Sequence, residues 1–116
     1  MFGILKKGNH LFEFVVPVTK GAACRLNIDW DFGKVVCYAA GSDEDAAKQV
    51  AIQQLQIARC VVEPGWQVRE VDPKSWPTYV KTRWPRSAPS MPGQDHVANM
   101  IKHGGFFYGP ARPQNG

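Results

Sequence analysis

The stretch VCYAAGSDEDAA at residues 36–47 decides the fold, because it joins the end of a strand to the start of a helix. Three acidic residues fall within the first helical turn, where the helix dipole stabilises negative charge. We predict that Ser42 caps the helix by accepting a hydrogen bond from the backbone N–H of Asp45, whose carboxylate reaches back as in a capping box. The helix is predicted to run to about Ala58. Its apolar stripe has three- and four-residue spacing and consists of Ala47, Val50, Ala51, Leu55 and Ala58.

Upstream of this junction, three runs rich in alternating apolar residues predict three antiparallel strands. They cover residues 11–18, 22–29 and 34–40, and short reversals connect them into a meander. Pro17 cannot donate a hydrogen bond to a neighbouring strand, which favours an edge position or the end of its strand. After the helix, residues 66–71 alternate as a fourth strand. The order predicts an α+β fold in which the helix packs on one face of an antiparallel sheet.

The charge of the chain changes at about residue 72. Residues 1–72 carry eight cationic and nine anionic side chains, whereas residues 73–116 carry six cations, one anion and seven of the nine prolines. Closely spaced prolines disfavour long regular elements. We therefore predict a compact α+β domain over residues 1–72 and an irregular, basic, proline- and aromatic-rich C-terminal arm over residues 73–116. One short helix, at residues 94–103, could lie within that arm.

The residue types that carry catalysis or bind metals form no recognisable motif. Cys24, Cys37 and Cys60 are widely spaced and lack the paired ligands of a structural zinc site. No export signal or membrane span is evident, so we predict free thiols in a reducing cytoplasm. Helix capping explains the acidic cluster at residues 43–45. We accordingly predict no enzymatic activity, no metal, no cofactor and no membrane partner.

Candidate binding residues fall in two places. Trp30 and Phe32 lie in the loop between the second and third predicted strands, where exposed rings suggest a contact surface, unless they fold back over the sheet. In the arm, aromatic rings alternate with cations, and the rings either bind a protein partner or pin the arm onto the core. The candidate partner-binding residues are Trp30, Phe32, Trp76, Tyr79 and Trp84. A second copy of the chain could also be the partner.

The same arm could instead bind nucleic acid, since aromatic faces stack on bases and nearby cations contact phosphates. The candidate residues for that alternative are Lys74, Lys81, Arg83 and Arg86. The predicted solvent face of the sheet carries Glu13, Arg25 and Asn27, a mixed rather than basic set. This mixture favours a protein partner.

The junction at residues 36–47 resembles a pattern found in small phage and mobile-element accessory proteins, including some anti-CRISPR proteins. In these proteins a strand ends in small residues, and a capped acidic turn then leads into an alanine-rich helix. The resemblance covers about 35 residues, from Val36 to Val71. It implies a non-enzymatic inhibitor or adaptor and carries over no functional residues.

Overall fold

Within residues 9–113, which the computed structural model describes, a five-stranded antiparallel sheet lies between one helix on one face and two helices on the other. The predicted α+β class is confirmed. Among these residues, no helix is long and apolar enough to cross a membrane. In chain order the elements are β1 (His10–Thr19), β2 (Phe32–Gly41), α1 (Glu44–Ile57), β3 (Val61–Val62), β4 (Gln67–Val71), α2 (Trp76–Arg83), α3 (Gln94–His103) and β5 (Gly105–Pro113), with 3-10 turns at Pro73–Ser75 and Ala88–Ser90.

Strand β1 is central in the sheet. It pairs with β2 along its whole length, from His10 opposite Gly41 to Thr19 opposite Phe32. On its other side β1 pairs with β4 near its start and with the two-residue β3 at its end. Strand β5 pairs with the outer side of β2. The last element of the chain therefore forms one edge of the sheet.

Both faces of the sheet are buried, which explains why β1 is apolar along most of its length. Phe12, Phe14 and Val16 pack with α1, while Leu11 and Val15 pack with the helices on the opposite face. A strand covered on both sides reads as a continuous apolar run rather than as a clean alternation. The second face is covered by side chains from α2 and α3 and the segment between them, namely Trp76, Val80, Trp84, Val97 and Met100.

The predicted second strand is wrong. Residues 22–29 form an irregular connection between β1 and β2, so the predicted three-stranded meander does not form. The Arg25 N–H donates to the Ala58 carbonyl oxygen at 2.7 Å, which fastens this connection to the end of α1. Leu26 and Trp30 pack against the core on the α1 face. The alternating pattern thus reflects a loop with every second side chain half-buried, not a strand.

The N-terminal cap of α1 lies one residue later than predicted. Asp43, not Ser42, is the capping residue, and its carboxylate accepts a hydrogen bond from the Ala46 N–H at 2.8 Å. The chain passes very close to itself here, because a Cβ placed on Gly41 would lie 2.5 Å from the Ala47 nitrogen. The predicted end of the helix near Ala58 is confirmed.

The C-terminal end of α1 is closed by two reversed hydrogen bonds. The Arg59 N–H donates to the Gln56 carbonyl and the Cys60 N–H donates to the Leu55 carbonyl, at 3.0 and 3.1 Å. This is a Schellman motif, in which glycine is the usual residue at the left-handed position. Here that position holds Arg59, whose φ is 62°. The helix end therefore carries backbone strain that a glycine would not.

The predicted irregular arm is wrong for residues 73–92, which contain α2 and two 3-10 turns. Pro73, Pro77 and Pro89 each lie in the first turn of a helical segment, where the missing N–H costs nothing. These prolines start helices instead of preventing them. The predicted helix at residues 94–103 is confirmed as α3, which ends at Gly104 with a φ of 81°. The predicted domain boundary at residue 72 falls directly after β4, but the residues after it share the hydrophobic core and the sheet with the residues before it.

Pro17 lies in the central strand and not at an edge. It is tolerated there because the side of β1 that pairs with β3 and β4 has a gap at this position. Strand β4 ends its pairing opposite Val15, and β3 begins its pairing opposite Val18. The Pro17 carbonyl accepts a hydrogen bond from the Glu63 N–H at 2.9 Å, so the proline nitrogen faces the same gap. No strand hydrogen bond is lost there, and the proline is tolerated.

Candidate functional site

A buried carboxylate lies at the centre of the second sheet face. Glu13 is only 2% exposed. Arg83 on α2 donates twice to it, from Nη2 to Oε1 at 2.9 Å and from Nε to Oε2 at 3.2 Å. The Tyr38 hydroxyl donates to Oε2 at 2.7 Å, and the Tyr79 hydroxyl donates to the same oxygen. Both oxygens of the carboxylate thus accept from Arg83, and Oε2 also accepts from the two tyrosine hydroxyls.

A second layer fixes those donors. The indole Nε1–H of Trp84 donates to the Tyr38 hydroxyl oxygen at 2.7 Å, and Tyr38 in turn gives its own hydrogen to Glu13. The guanidinium carbon of Arg83 lies 4.6 Å from the centre of the Trp84 ring. We call Glu13, Tyr38, Tyr79, Arg83 and Trp84 the Glu13 network. It ties β1 and β2 to α2 and to the residue that follows it.

The electrostatics of the Glu13 network hold its carboxylate and its two phenols each in one charge state near neutral pH. Burial by itself raises the pKa of Glu13, but hydrogen bonds from Arg83, Tyr79 and Tyr38 outweigh it and lower the pKa below the ordinary value of 4.5. Burial raises the pKa of Tyr38 far above its usual range and that of Tyr79 to about 12. Near neutral pH the carboxylate is therefore ionised and both phenols are protonated. None of the three exchanges a proton readily at that pH, as a general acid or base must.

The aromatic residues predicted to bind a partner separate into two groups. Trp76 and Trp84 are buried in the core, and Tyr79 is half-buried in the Glu13 network. These three rings pin the C-terminal segment onto the sheet, which was the alternative interpretation of the pattern. Trp30 is half-buried, whereas Phe32 is 42% exposed at the start of β2. Only Phe32 among the five leaves a large apolar surface free, and its binding role stays a prediction.

The cations proposed for nucleic acid also separate. Lys74, Lys81 and Arg86 are exposed on the surface, while Arg83 is committed to Glu13. Sequence reasoning assigned Glu13 to the solvent face and missed its role. The available signal was a lone acidic residue in an otherwise apolar strand, because a buried charge requires a partner.

An exposed apolar surface at one end of the sheet was also missed. Ile57, Val61 and Val62 are 62%, 50% and 37% exposed. Phe32 belongs to the same end, since Phe32 and Val61 both lie directly opposite Thr19, on the two sides of β1. We call these four residues the apolar end surface. Of the four, Val62 also lines a cleft of about 730 Å³, together with Ile52, Cys60 and Trp66.

All three cysteines are free thiols, and two of them lie close together. The Sγ atoms of Cys24 and Cys60 are 3.9 Å apart, while Cys37 is buried under α1. Burial raises the pKa of Cys60 and of Cys37 to about 12, so both thiols are protonated near neutral pH. In the part of the chain that the structure describes, no group of three or more His, Cys, Asp or Glu side chains is arranged to hold a metal ion.

Comparison with protein families, curated proteins and solved structures found no match for this chain.

Proposed function

We propose that this protein is a non-enzymatic interaction module that binds a protein partner through the apolar end surface. The observation that carries the proposal is the exposure of Ile57, at the end of α1, and of Val61 and Val62 in β3, in a protein whose sheet faces are otherwise buried. Exposed groups of large apolar side chains commonly mark surfaces that contact a partner. Their burial by a partner would contribute roughly 25 cal/mol per Å².

The geometry favours an extended segment of the partner. Strand β3 pairs with β1 on one side, and among the described residues no strand lies on its other side. An extended peptide can add to such an edge by main-chain hydrogen bonds while its side chains enter neighbouring pockets. The cleft beside Val62 supplies that pocket, with Ile52 and Trp66 in its lining.

Two further points support a binding role without chemistry. Glu13, the one buried carboxylate among the described residues, is paired and ionised, so it does not serve as a proton carrier. The resemblance of the α1 junction to phage and mobile-element accessory proteins implies an inhibitor or adaptor, in agreement with this role.

The proposal is tested by affinity capture with matched variants. Val61→Asp places a charge on the apolar end surface, and Gln49→Asp places the same charge on an exposed position of α1. Both positions are at the surface, so both variants are expected to fold, which circular dichroism checks. A protein bound by the wild type and by Gln49→Asp, but not by Val61→Asp, supports the proposal when nuclease treatment leaves the capture unchanged. Equal capture by all three forms, or capture abolished by nuclease, contradicts it.

A further inference from the structure

Three cationic side chains converge beside Trp84 on the sheet face that α2 covers. Lys34 on β2, Arg83 on α2 and Arg112 on β5 line a cavity of about 270 Å³. The side chains of Val15 and Val36 and the amide of Gln67 complete the lining. No acidic residue among those described lines this cavity. It is therefore a small concave space with apolar walls and positively charged groups.

The sheet itself places two of these cations against each other. Lys34 and Arg112 are directly opposite on neighbouring strands, and like charges in that position destabilise a sheet. Neither forms an ion pair within residues 9–113. The fold thus concentrates uncompensated positive charge at one point, which an anionic ligand would relieve.

The third cation is held in place before any ligand arrives. Glu13 accepts hydrogen bonds from Nε and Nη2 of Arg83, while the remaining N–H groups of the guanidinium are not used by Glu13. The guanidinium carbons of Arg83 and Arg112 lie 4.6 and 4.9 Å from the centre of the Trp84 ring. Because two guanidinium groups flank that ring and it is buried, it offers no face on which a base could stack.

We propose that this cavity binds a phosphate group. Glu13 shares its one negative charge between Arg83 and, at 3.8 Å, Arg69. The charges of Lys34 and Arg112 remain at the cavity, and together they match an oxyanion that carries one to two negative charges and several acceptor oxygens. The cavity is small beside typical ligand sites of roughly 300–1,000 Å³, so it takes a phosphate with little attached to it rather than a large cofactor. The phosphate can belong to a free phosphate or phosphomonoester, or to the backbone of a single-stranded nucleic acid.

The first experiment measures binding of inorganic phosphate against chloride at equal ionic strength, by thermal denaturation and by NMR titration. Phosphate is expected to raise the melting temperature of the wild type and to shift the backbone amide signals of Lys34 and Arg112 and the indole signal of Trp84. Lys34→Gln and Arg112→Gln are each expected to weaken binding at least about tenfold, through loss of a charge-assisted hydrogen bond. Lys81→Gln removes an exposed cation outside the cavity and is expected to bind as the wild type does.

Without phosphate, Lys34→Gln should melt higher than the wild type, because the repulsion with Arg112 is removed. A merely structural lysine would give the opposite sign. Absence of phosphate binding by the wild type, or an equal response from Lys34→Gln, Arg112→Gln and Lys81→Gln, overturns the proposal.

A short single-stranded oligothymidylate then separates the two sources of phosphate. Binding that inorganic phosphate displaces and Arg112→Gln abolishes assigns the site to a nucleic-acid backbone. Phosphate binding without oligothymidylate binding assigns it to a free phosphate or phosphomonoester. Oligothymidylate binding that depends on Lys81 and not on Arg112 contradicts the assignment of the cavity. Val61→Asp changes no residue that lines the cavity, so the phosphate-binding result and the protein-binding result can fail independently of each other.

Discussion

Replacing Glu13 with glutamine is expected to lower the free energy of unfolding by about 3 kcal/mol. Breaking a buried ion pair by removing one charge typically costs about 3–5 kcal/mol. The Arg83 side chain is 31% exposed, so water partly solvates the orphaned cation, which places the cost at the lower end. The glutamine also turns an N–H₂ group toward donors, Arg83 among them, that require an acceptor. For a chain of this size, about 3 kcal/mol corresponds to a fall in melting temperature of roughly 12 °C.

Urea unfolding followed by circular dichroism gives this free energy directly. Glu70→Gln is the matched control, because Glu70 pairs with His10 at 2.9 Å on an exposed surface, where such a pair contributes about 1 kcal/mol or less. A double-mutant cycle with Arg83→Gln then isolates the coupling between the two charges. The reasoning fails if Glu13→Gln costs no more than Glu70→Gln, or if the cycle shows no coupling.

Four other expectations can be checked with the same purified protein. The folded-state pKa of Glu13 lies below its ordinary value, so the stabilisation by its carboxylate is complete above the ordinary value and is lost as the pH falls through the folded-state pKa. Acidification should therefore lower the free energy of unfolding of the wild type more than that of Glu13→Gln, and parallel curves would refute this. Arg59→Gly should stabilise the protein by about 1 kcal/mol by relieving the left-handed backbone, and a lower melting temperature would contradict it. Truncation after Asp72 removes β5 and the cover of the second face, so its circular dichroism should show an unfolded chain, and a cooperative melt would count against the shared core. Oxidation with diamide should form a disulfide between Cys24 and Cys60 and spare the buried Cys37, as peptide mapping would show. A disulfide to Cys37 would contradict the observed proximity of the Cys24 and Cys60 thiols.

The elements that could be predicted from the sequence are those with local signals. Helix α1 has an acidic first turn and an alanine-rich stripe, and α3 lies between a proline-rich segment and Gly104, so both were located to within a residue or two at their ends. Strands β1 and β4 are apolar or alternating over their length. In each case the pattern within one short segment is enough.

The errors arose where one pattern fits two structures. Pro73, Pro77 and Pro89 mark either a broken chain or the first turn of a helix, and only packing decides between them. Strand β5 contains Pro110 and two glycines, which are typical of a turn. An edge position and a register shift opposite Val35 and Cys37 accommodate this composition in the sheet.

The candidate sites were harder to predict because each is assembled from distant segments. Glu13 acquires its partners from β2 and α2, and the cavity cations come from three separate elements. The apolar end surface is a property of what remains uncovered after folding, and Ile57 or Val61 looks like a core residue in the sequence. No short window of the chain contains any of this information.

Glu13 also constrains the order in which the newly made chain can fold. Its hydrogen-bond partners Tyr38 and Arg83 are 25 and 70 residues further along the chain. While the protein is being synthesised, a β1–β2 hairpin would carry an ionised carboxylate on an apolar face until Arg69 on β4, and then Arg83 on α2, emerge to pair with it. Strand β2 gains its second neighbour only when the last strand is complete. Native packing therefore depends on contacts distant in sequence, which is the regime of slow folding and of greatest exposure to aggregation.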